Sequence, residues 1–375
     1  MNKESIISKF LDYVRISSPS YREGHFAEIL KKDMKKIGFE VVVDDAGNKA
    51  GSDTGNIIGY LSGNKDIEPI MFCAHMDTVT PCENIEPIIE NGIIKSKANT
   101  ILSADDKAGI IAILEGIKHI KENNIPHGDI EVVFTICEEV GLYGSKYLDY
   151  SKIKSKMAFV LDASGDIGGV NVQGPAQAQI HAKFHGKAAH AGLNPEKGIN
   201  AIQVASRAID RMALLRIDEE TTANIGIIKG GSATNIVADY AEVEFEARSL
   251  NEEKLNKQVN HMVEAMEQAA KEFSSKVDIK VDNSYPTFKL DNNEPILKII
   301  ENAMKKVNIP YMPKPTGGGS DTNIFNGNGL KAATLGIGMF GAHSVDEYIA
   351  EDDIVKTAEL VATIIENVYI QKHNN

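Results

Sequence analysis

Cysteine is scarce in this chain, and uninterrupted apolar runs are short. The three thiols, Cys73, Cys82 and Cys137, cannot all pair, and none belongs to a Cys-x-x-Cys motif. That argues against a secreted disulfide framework and fits a reducing cytoplasm. Cys73 and Cys137 lie in apolar runs, where cysteine acts as a small buried hydrophobe rather than a reactive thiol. No stretch reaches the roughly 18 apolar residues of a membrane span. The opening Met1-Asn2-Lys3-Glu4-Ser5 has an acid and no apolar signal core, so the expectation is a protein that is neither inserted nor exported. Positive charge is also in deficit: 40 Lys+Arg stand against 53 Asp+Glu, a net −13. Nucleic acid and anionic membranes need a clustered positive footprint and are therefore poor partners.

What is present is a globular composition, 42% apolar and 25% charged, with a surplus of carboxylates on which a metal site can draw. At roughly 150 residues per domain, 375 residues suggest two domains or one core carrying an insertion. Up to about residue 173 the pattern alternates. Helical spacing at Ile6, Ile7, Phe10, Leu11 and Val14 and at Phe26, Ile29, Leu30, Met34 and Ile37 gives way to short apolar runs at Phe39–Val43, Ile57–Leu61, Pro69–Ala74, Ile130–Ile136 and Ala158–Leu161. Ala108 to Ile120 reads as a helix, so this is an α/β layer with a mixed, largely parallel sheet. From Gly174 the style changes to alternating strands and a long amphipathic helix from Leu255 to Phe273, an α+β module. After Pro286 the α/β style returns, with a glycine turn at Gly317–Ser320, an apolar run at Ala332–Ile337 and a final helix from Asp352. The expected organisation is one α/β domain, 1–173 and 287–375, interrupted by a module at 174–286.

In open α/β sheets, ligand sites form beyond the carboxyl ends of the strands. Four such places stand out. Met71–Ala74 delivers His75-Met76-Asp77, where Asp77 can hold one imidazole nitrogen while the other binds a metal. Ser103-Ala104-Asp105-Asp106-Lys107-Ala108-Gly109 leads into a helix and reads either as a cap with favourably placed acids or as a ligand. Val132–Ile136 delivers Glu138-Glu139, adjacent carboxylates that repel unless a cation or shared proton compensates. Ala158–Leu161 delivers Asp162, and Gly341-Ala342-His343 offers a second imidazole. Two His with three or more carboxylates is the ligand set of a two-metal hydrolytic site, favouring zinc, with cobalt or manganese as substitutes.

In combination, H-x-D, D-x-K-A-G, E-E-x-G, a single acid and a distal His resemble the co-catalytic metallopeptidases that include peptidase T, glutamate carboxypeptidase, acetylornithine deacetylase and succinyl-diaminopimelate desuccinylase. The form Ala104-Asp105-Asp106-Lys107-Ala108-Gly109 is most similar to the peptidase T branch. The resemblance covers essentially the whole chain. It implies a zinc-peptidase-like catalytic domain with an inserted lid or dimerisation domain, and two zinc ions. His75 and Asp162 would hold one metal, Glu139 and His343 the other, and Asp105 would bridge them. Asp77 would orient His75, and Glu138 would be the general base, taking a proton from water and passing it to the leaving amine. A cis peptide is implied after the bridging acid, at Asp105-Asp106. In the module, Gly186-Lys187-Ala188-Ala189-His190-Ala191-Gly192 is similar to the family segment whose His, usually from a partner subunit, supports the oxyanion. Asn235 and Arg248 match positions that bind the substrate's backbone or carboxylate. By its position, Gly317-Gly318-Gly319-Ser320-Asp321 reads either as a flexible linker or, better, ahead of a helix near Asp321, as a nest in which Gly318, Gly319 and Ser320 offer N–H groups to a substrate carboxylate. The activity implied is removal of N-terminal residues from short peptides. The alternatives are a carboxypeptidase or an N-acyl amino acid amidohydrolase of the same family, and a catalytically silent binder on the same fold. The resemblance also suggests a homodimer through the module, although monomers and tetramers occur in the family.

Overall fold

Apolar runs too short for helices become strands buried on both faces, and the cause is visible in their alternation. Met71 and Cys73 pack with Val133, Val160, Ala332 and Phe325 on one face of the sheet. The intervening Phe72 and Phe159 stack on the other, ring centroids 5.3 Å apart. The computed structural model describes residues 1–373. The sheet order is Glu40–Val43, Ile57–Leu61, Ile130–Thr135, Ile70–His75, Met157–Ala163, Lys331–Gly336, Gly169–Gly174 and Phe288–Lys289, with Met312–Pro315 also paired to Gly169–Gly174. The strands from Ile130–Thr135 through Lys331–Gly336 are parallel, and the pairs flanking them, out to Glu40–Val43 and Gly169–Gly174, are antiparallel. The result is the expected mixed sheet with a parallel centre.

Helix Ala104–Glu122 packs on strand Ile70–His75 and against helices Lys3–Val14 and Glu351–His373. Helix Gly24–Ile37 ends on Gly38, whose φ of 109° is a left-handed stop that glycine adopts without steric cost. A hairpin of Pro87–Glu90 and Ile93–Ser96 joins Tyr348–Ala350 and Met339–Phe340 in a small sheet that the sequence pattern does not announce. Its strands are two to four residues long and pair across a wide sequence separation, Ile94 with Ile349.

The chain divides into two compact units, with breaks at 172/173 and 288/289. The segment Thr316–Gly319, expected in the α/β domain, groups instead with the inserted unit. That unit is a five-stranded antiparallel sheet in the order Leu215–Arg216, Thr221–Gly230, Tyr240–Ser249, Ala176–His185 and Lys276–Tyr285. Every second residue from Ala176 to Phe184 and from Ala241 to Ala247 enters one core, which helices Ala201–Asp210 and Glu252–Glu272 cover. Leu255, Val259, Met262, Met266 and Ala269 supply the long helix's buried stripe. The Asn251 side chain accepts from the N–H groups of Glu253 and Lys254, which starts that helix three residues before the stripe begins. Among the described residues, no helix is long and apolar enough to cross a membrane.

Candidate metal centre

Three neighbouring parallel strands bring the site together because their carboxyl ends lie side by side. Strand Ile70–His75 ends on His75, Met157–Ala163 carries Asp162, and Ile130–Thr135 runs on to Glu138 and Glu139. Asp105 comes from the start of helix Ala104–Glu122, where Asp105 (ψ 104°) and Asp106 (ψ 32°) are not helical and the peptide between them is cis. Gly109, one turn on, explains the glycine of this motif. A Cβ there would lie 2.2 Å from the Leu161 carbonyl and 2.4 Å from Asp106 Oδ1, so only glycine lets this helix approach the strand that bears Asp162.

Two groups of potential ligand atoms result, His75–Asp105–Asp162 and Asp105–Glu139–His343, each with its atoms within 4.8 Å of one another. Asp105 belongs to both. Its Oδ1 lies 3.0 Å from His75 Nε2, and its Oδ2 lies 3.5 Å from His343 Nε2. Asp162 Oδ1 stands 3.5 Å from His75 Nε2, and Glu139 Oε2 stands 2.8 Å from His343 Nε2. The other Glu139 oxygen is buried with no hydrogen-bond partner among the described residues. A buried carboxylate oxygen left in that state calls for a ligand. Imidazole nitrogens and carboxylate oxygens in these numbers suit zinc, and also cobalt or manganese.

The electrostatics follow from crowding. Burial, reinforced by the Asp162 charge, raises Glu138 well above the usual carboxylate range. Burial likewise raises Glu139 against the pull of His343, and brings Asp162 up to about 7. Burial opposes ionisation of Asp105 too, but hydrogen bonds from His343 and His75 outweigh it and hold this carboxyl low. Hydrogen bonds to Asp105 and Glu139 push His343 up to about 10. For His75, burial favours the neutral ring, yet Asp105 and Asp162 raise it well above the ordinary imidazole value. The carboxylates thus draw positive charge to two positions, which is the field a pair of divalent cations would meet.

The supporting residues refine one expectation. His75 Nδ1 is held by the backbone carbonyl of Asp77 at 2.8 Å, whereas the Asp77 carboxylate is 3.7 Å away. The carboxylate instead accepts from the N–H groups of Glu138 and Glu139, at 2.9 and 3.2 Å, and from the Ser20 hydroxyl. Two residues along an extended chain, the carbonyl reaches the ring first, and the side chain is left to fix the turn that carries the paired acids. Several buried groups near the site carry no local signal in the sequence. Glu23 accepts from Cys137 N–H, Asp106 accepts from His75 N–H, and Asp321 accepts from the Thr135 and Ser145 hydroxyls. Glu347 accepts from the backbone N–H groups of Leu102, Ser103 and Asp105. Of the two readings of the Ser103–Gly109 segment, the cap is not made by Ser103, which has φ 65° and no capping bond. The cysteines are free and buried, and burial pushes the Cys73 and Cys137 thiols up, in keeping with inert packing residues.

His190 and Asn235 are exposed neighbours in the inserted unit, where Ala191 N–H donates to the Asn235 carbonyl at 3.0 Å. Arg248, in the same unit, already donates to Glu246 at 3.0 Å, while its Nε is buried with no partner among the described residues. The expected nest is largely used within the chain. Gly318 N–H donates to Thr316 Oγ1, and Ser320 forms a reciprocal capping box with Asn323 at the start of helix Asp321–Gly327. Gly319 has a packing reason to be glycine, since a Cβ would sit 2.2 Å from the Tyr285 ring.

Comparison with known proteins agrees with this geometry. The model of peptidase family M20/M25/M40 matches residues 71–367, a span that includes all five potential ligands. The chain is 42% identical to the uncharacterized protein YqjE of Bacillus subtilis (strain 168), over 98% of this chain and 99% of that one. It superposes on the crystal structure of aminopeptidase PepT from Bacillus cereus ATCC 10987 with a TM-score of 0.89 and 42% identity, covering 98% and 99% of the two chains. With a tripeptidase from Staphylococcus aureus subsp. aureus Mu50 the TM-score is 0.94 at 38% identity, covering 99% of this chain and all of the other. A family match that starts on the strand ending in His75 and runs past His343, with near-complete coverage by such close relatives, leaves one conclusion: the chain belongs to peptidase family M20/M25/M40.

Proposed function

We propose that this chain is a cytoplasmic dizinc exopeptidase that releases N-terminal residues from short peptides. The observation that carries the reading is the pair of three-residue groups sharing Asp105, one carboxylate facing two imidazoles. The similarity to an aminopeptidase PepT and to a tripeptidase supports the choice of terminus and substrate size. When bound, zinc at these positions would lower the pKa of a water and polarise the scissile carbonyl. The chain's own residues do the rest. Glu138 takes the water's proton and returns it to the leaving amine, and its raised proton affinity, caused first by burial, suits a group that must hold a proton between those steps. The Asp77 carboxylate keeps the Glu138–Glu139 backbone in place. His190 supports the oxyanion, with a homodimer formed through the inserted unit, and Asn235 binds the substrate backbone.

A second reading is a carboxypeptidase or amidohydrolase that grips a free carboxylate. The Arg248 Nε, buried with no partner among the described residues, favours it, although Glu246 already occupies another nitrogen of the same guanidinium. Digestion of a peptide library with zinc, cobalt or manganese distinguishes the readings. Trimming from the amino end, abolished by blocking the amine, is expected. Trimming that survives a blocked amine and stops with a blocked carboxylate selects the second reading. Metal binding without hydrolysis would mean a silent binder.

A further inference from the structure

Glu347 has no role in the chemistry above, yet its buried carboxylate accepts three backbone hydrogen bonds around the bridging acid. It is 1% exposed. Its Oε2 accepts from Leu102 N–H at 2.7 Å and Ser103 N–H at 2.8 Å, and its Oε1 accepts from Asp105 N–H at 2.8 Å. Two of those donors precede helix Ala104–Glu122 and the third lies in its first turn, so none has an intrahelical acceptor. Ser103 is left-handed, with φ 65°, and Asp105 is non-helical, so the loop's N–H groups turn inward and need an acceptor.

The same carboxylate is tied to the other half of the site. Gly341 (φ 67°) and His343 (φ 64°) form a tight turn in which Ser344 N–H and Oγ both bond to the Gly341 carbonyl. Glu347 N–H donates to the Ser344 carbonyl, at 3.3 Å. One turn therefore presents His343 and, four residues later, the clamp on Asp105. His343 and Asp105 lie far apart in sequence and face each other across 3.5 Å.

We propose that Glu347 is a positioning residue that fixes the bridging carboxylate of Asp105 against His343 and so sets the spacing of the two metal positions. A buried carboxylate with three N–H donors holds the loop backbone rigidly, because losing one acceptor strands a buried donor. The Asp105 side chain has to offer Oδ1 to one position and Oδ2 to the other, and a loop free to shift by an ångström could serve only one of them well. The inference rests on the metal-site reading given above.

The test is zinc affinity, measured by competition with a chromophoric chelator, in wild type, Glu347→Gln and Glu131→Gln. Glu131 makes the matched control. It is a buried carboxylate that accepts from Lys154 N–H, Ser155 N–H and the Ser155 hydroxyl at the other end of the sheet. Glu347→Gln should weaken zinc binding by about ten- to hundredfold, the usual cost of losing a partner of a metal ligand, while Glu131→Gln should leave it within about twofold on the same grounds. Equal affinities in wild type and Glu347→Gln, or an equal loss in Glu131→Gln, would overturn the proposal. Wild-type protein that binds no zinc would overturn the metal reading itself, and the proposal with it. If Glu347→Gln does not fold, hydrogen exchange in the wild type decides. Zinc should slow exchange at Leu102, Ser103 and Asp105 more than at Lys154 and Ser155, and equal slowing at both places overturns the inference.

Discussion

One strand, Ile130–Thr135, carries buried acids at both ends, and the two ends behave oppositely. At its start, Glu131 is satisfied by two backbone N–H groups and a hydroxyl. Just past its finish, Glu138 and Glu139 meet Asp105, Asp162 and two imidazoles, and one Glu139 oxygen has no hydrogen-bond partner among the described residues. Burial of a carboxylate is therefore no signal of chemistry by itself. What separates a structural acid from a working one is whether the surrounding donors already satisfy it.

The sharpest way to break the comparison is to remove metal. Chelation should abolish peptide hydrolysis, and added zinc should restore it. Zinc should also raise the thermal midpoint, because a ligand at about 100 times its Kd adds about 2.7 kcal/mol to the folded state. An unchanged midpoint and unchanged turnover would place both strand ends in the structural class. Next in size, Glu138→Gln should lower kcat about a thousandfold with two zinc ions still bound per chain, as read by elemental analysis. Asp77→Asn keeps the acceptor for only one of the Glu138 and Glu139 N–H groups, and should cost about ten- to hundredfold in kcat or zinc affinity. Glu131→Gln should be the mildest in activity, within about twofold, yet should lower unfolding stability by about 1–3 kcal/mol in denaturant titration. If Glu131→Gln instead matched Asp77→Asn in activity, the contrast between the two ends would collapse.

Much of this is legible in short stretches of the sequence. His75, Asp105, Glu138, Glu139 and Asp162 stand at strand ends or at a helix start, and short-range patterning is enough to find such ends. The alternating strands of 174–286 and the stripe of its long helix are legible for the same reason. Three features are not. The hairpin Pro87–Glu90 and Ile93–Ser96 is stabilised by residues near 349, and no local window contains both partners. The Asp77 contact looked like a side-chain bond to His75 but is a backbone one, because spacing along a strand gives the face and not the atom. Glu347 resembles any loop acid until the loop it clamps is folded against it.

The kinds of donor atom, their order along the chain and the α/β pattern that places them at strand ends belong to the sequence, because each depends on residues within a few positions of one another. The tertiary structure alone decided that one carboxylate would face two imidazoles. That depends on the sheet order, on the close approach allowed by Gly109 and on the turn carrying His343 and Glu347. These are contacts between distant segments, whose cost in chain entropy is met only when the whole core packs.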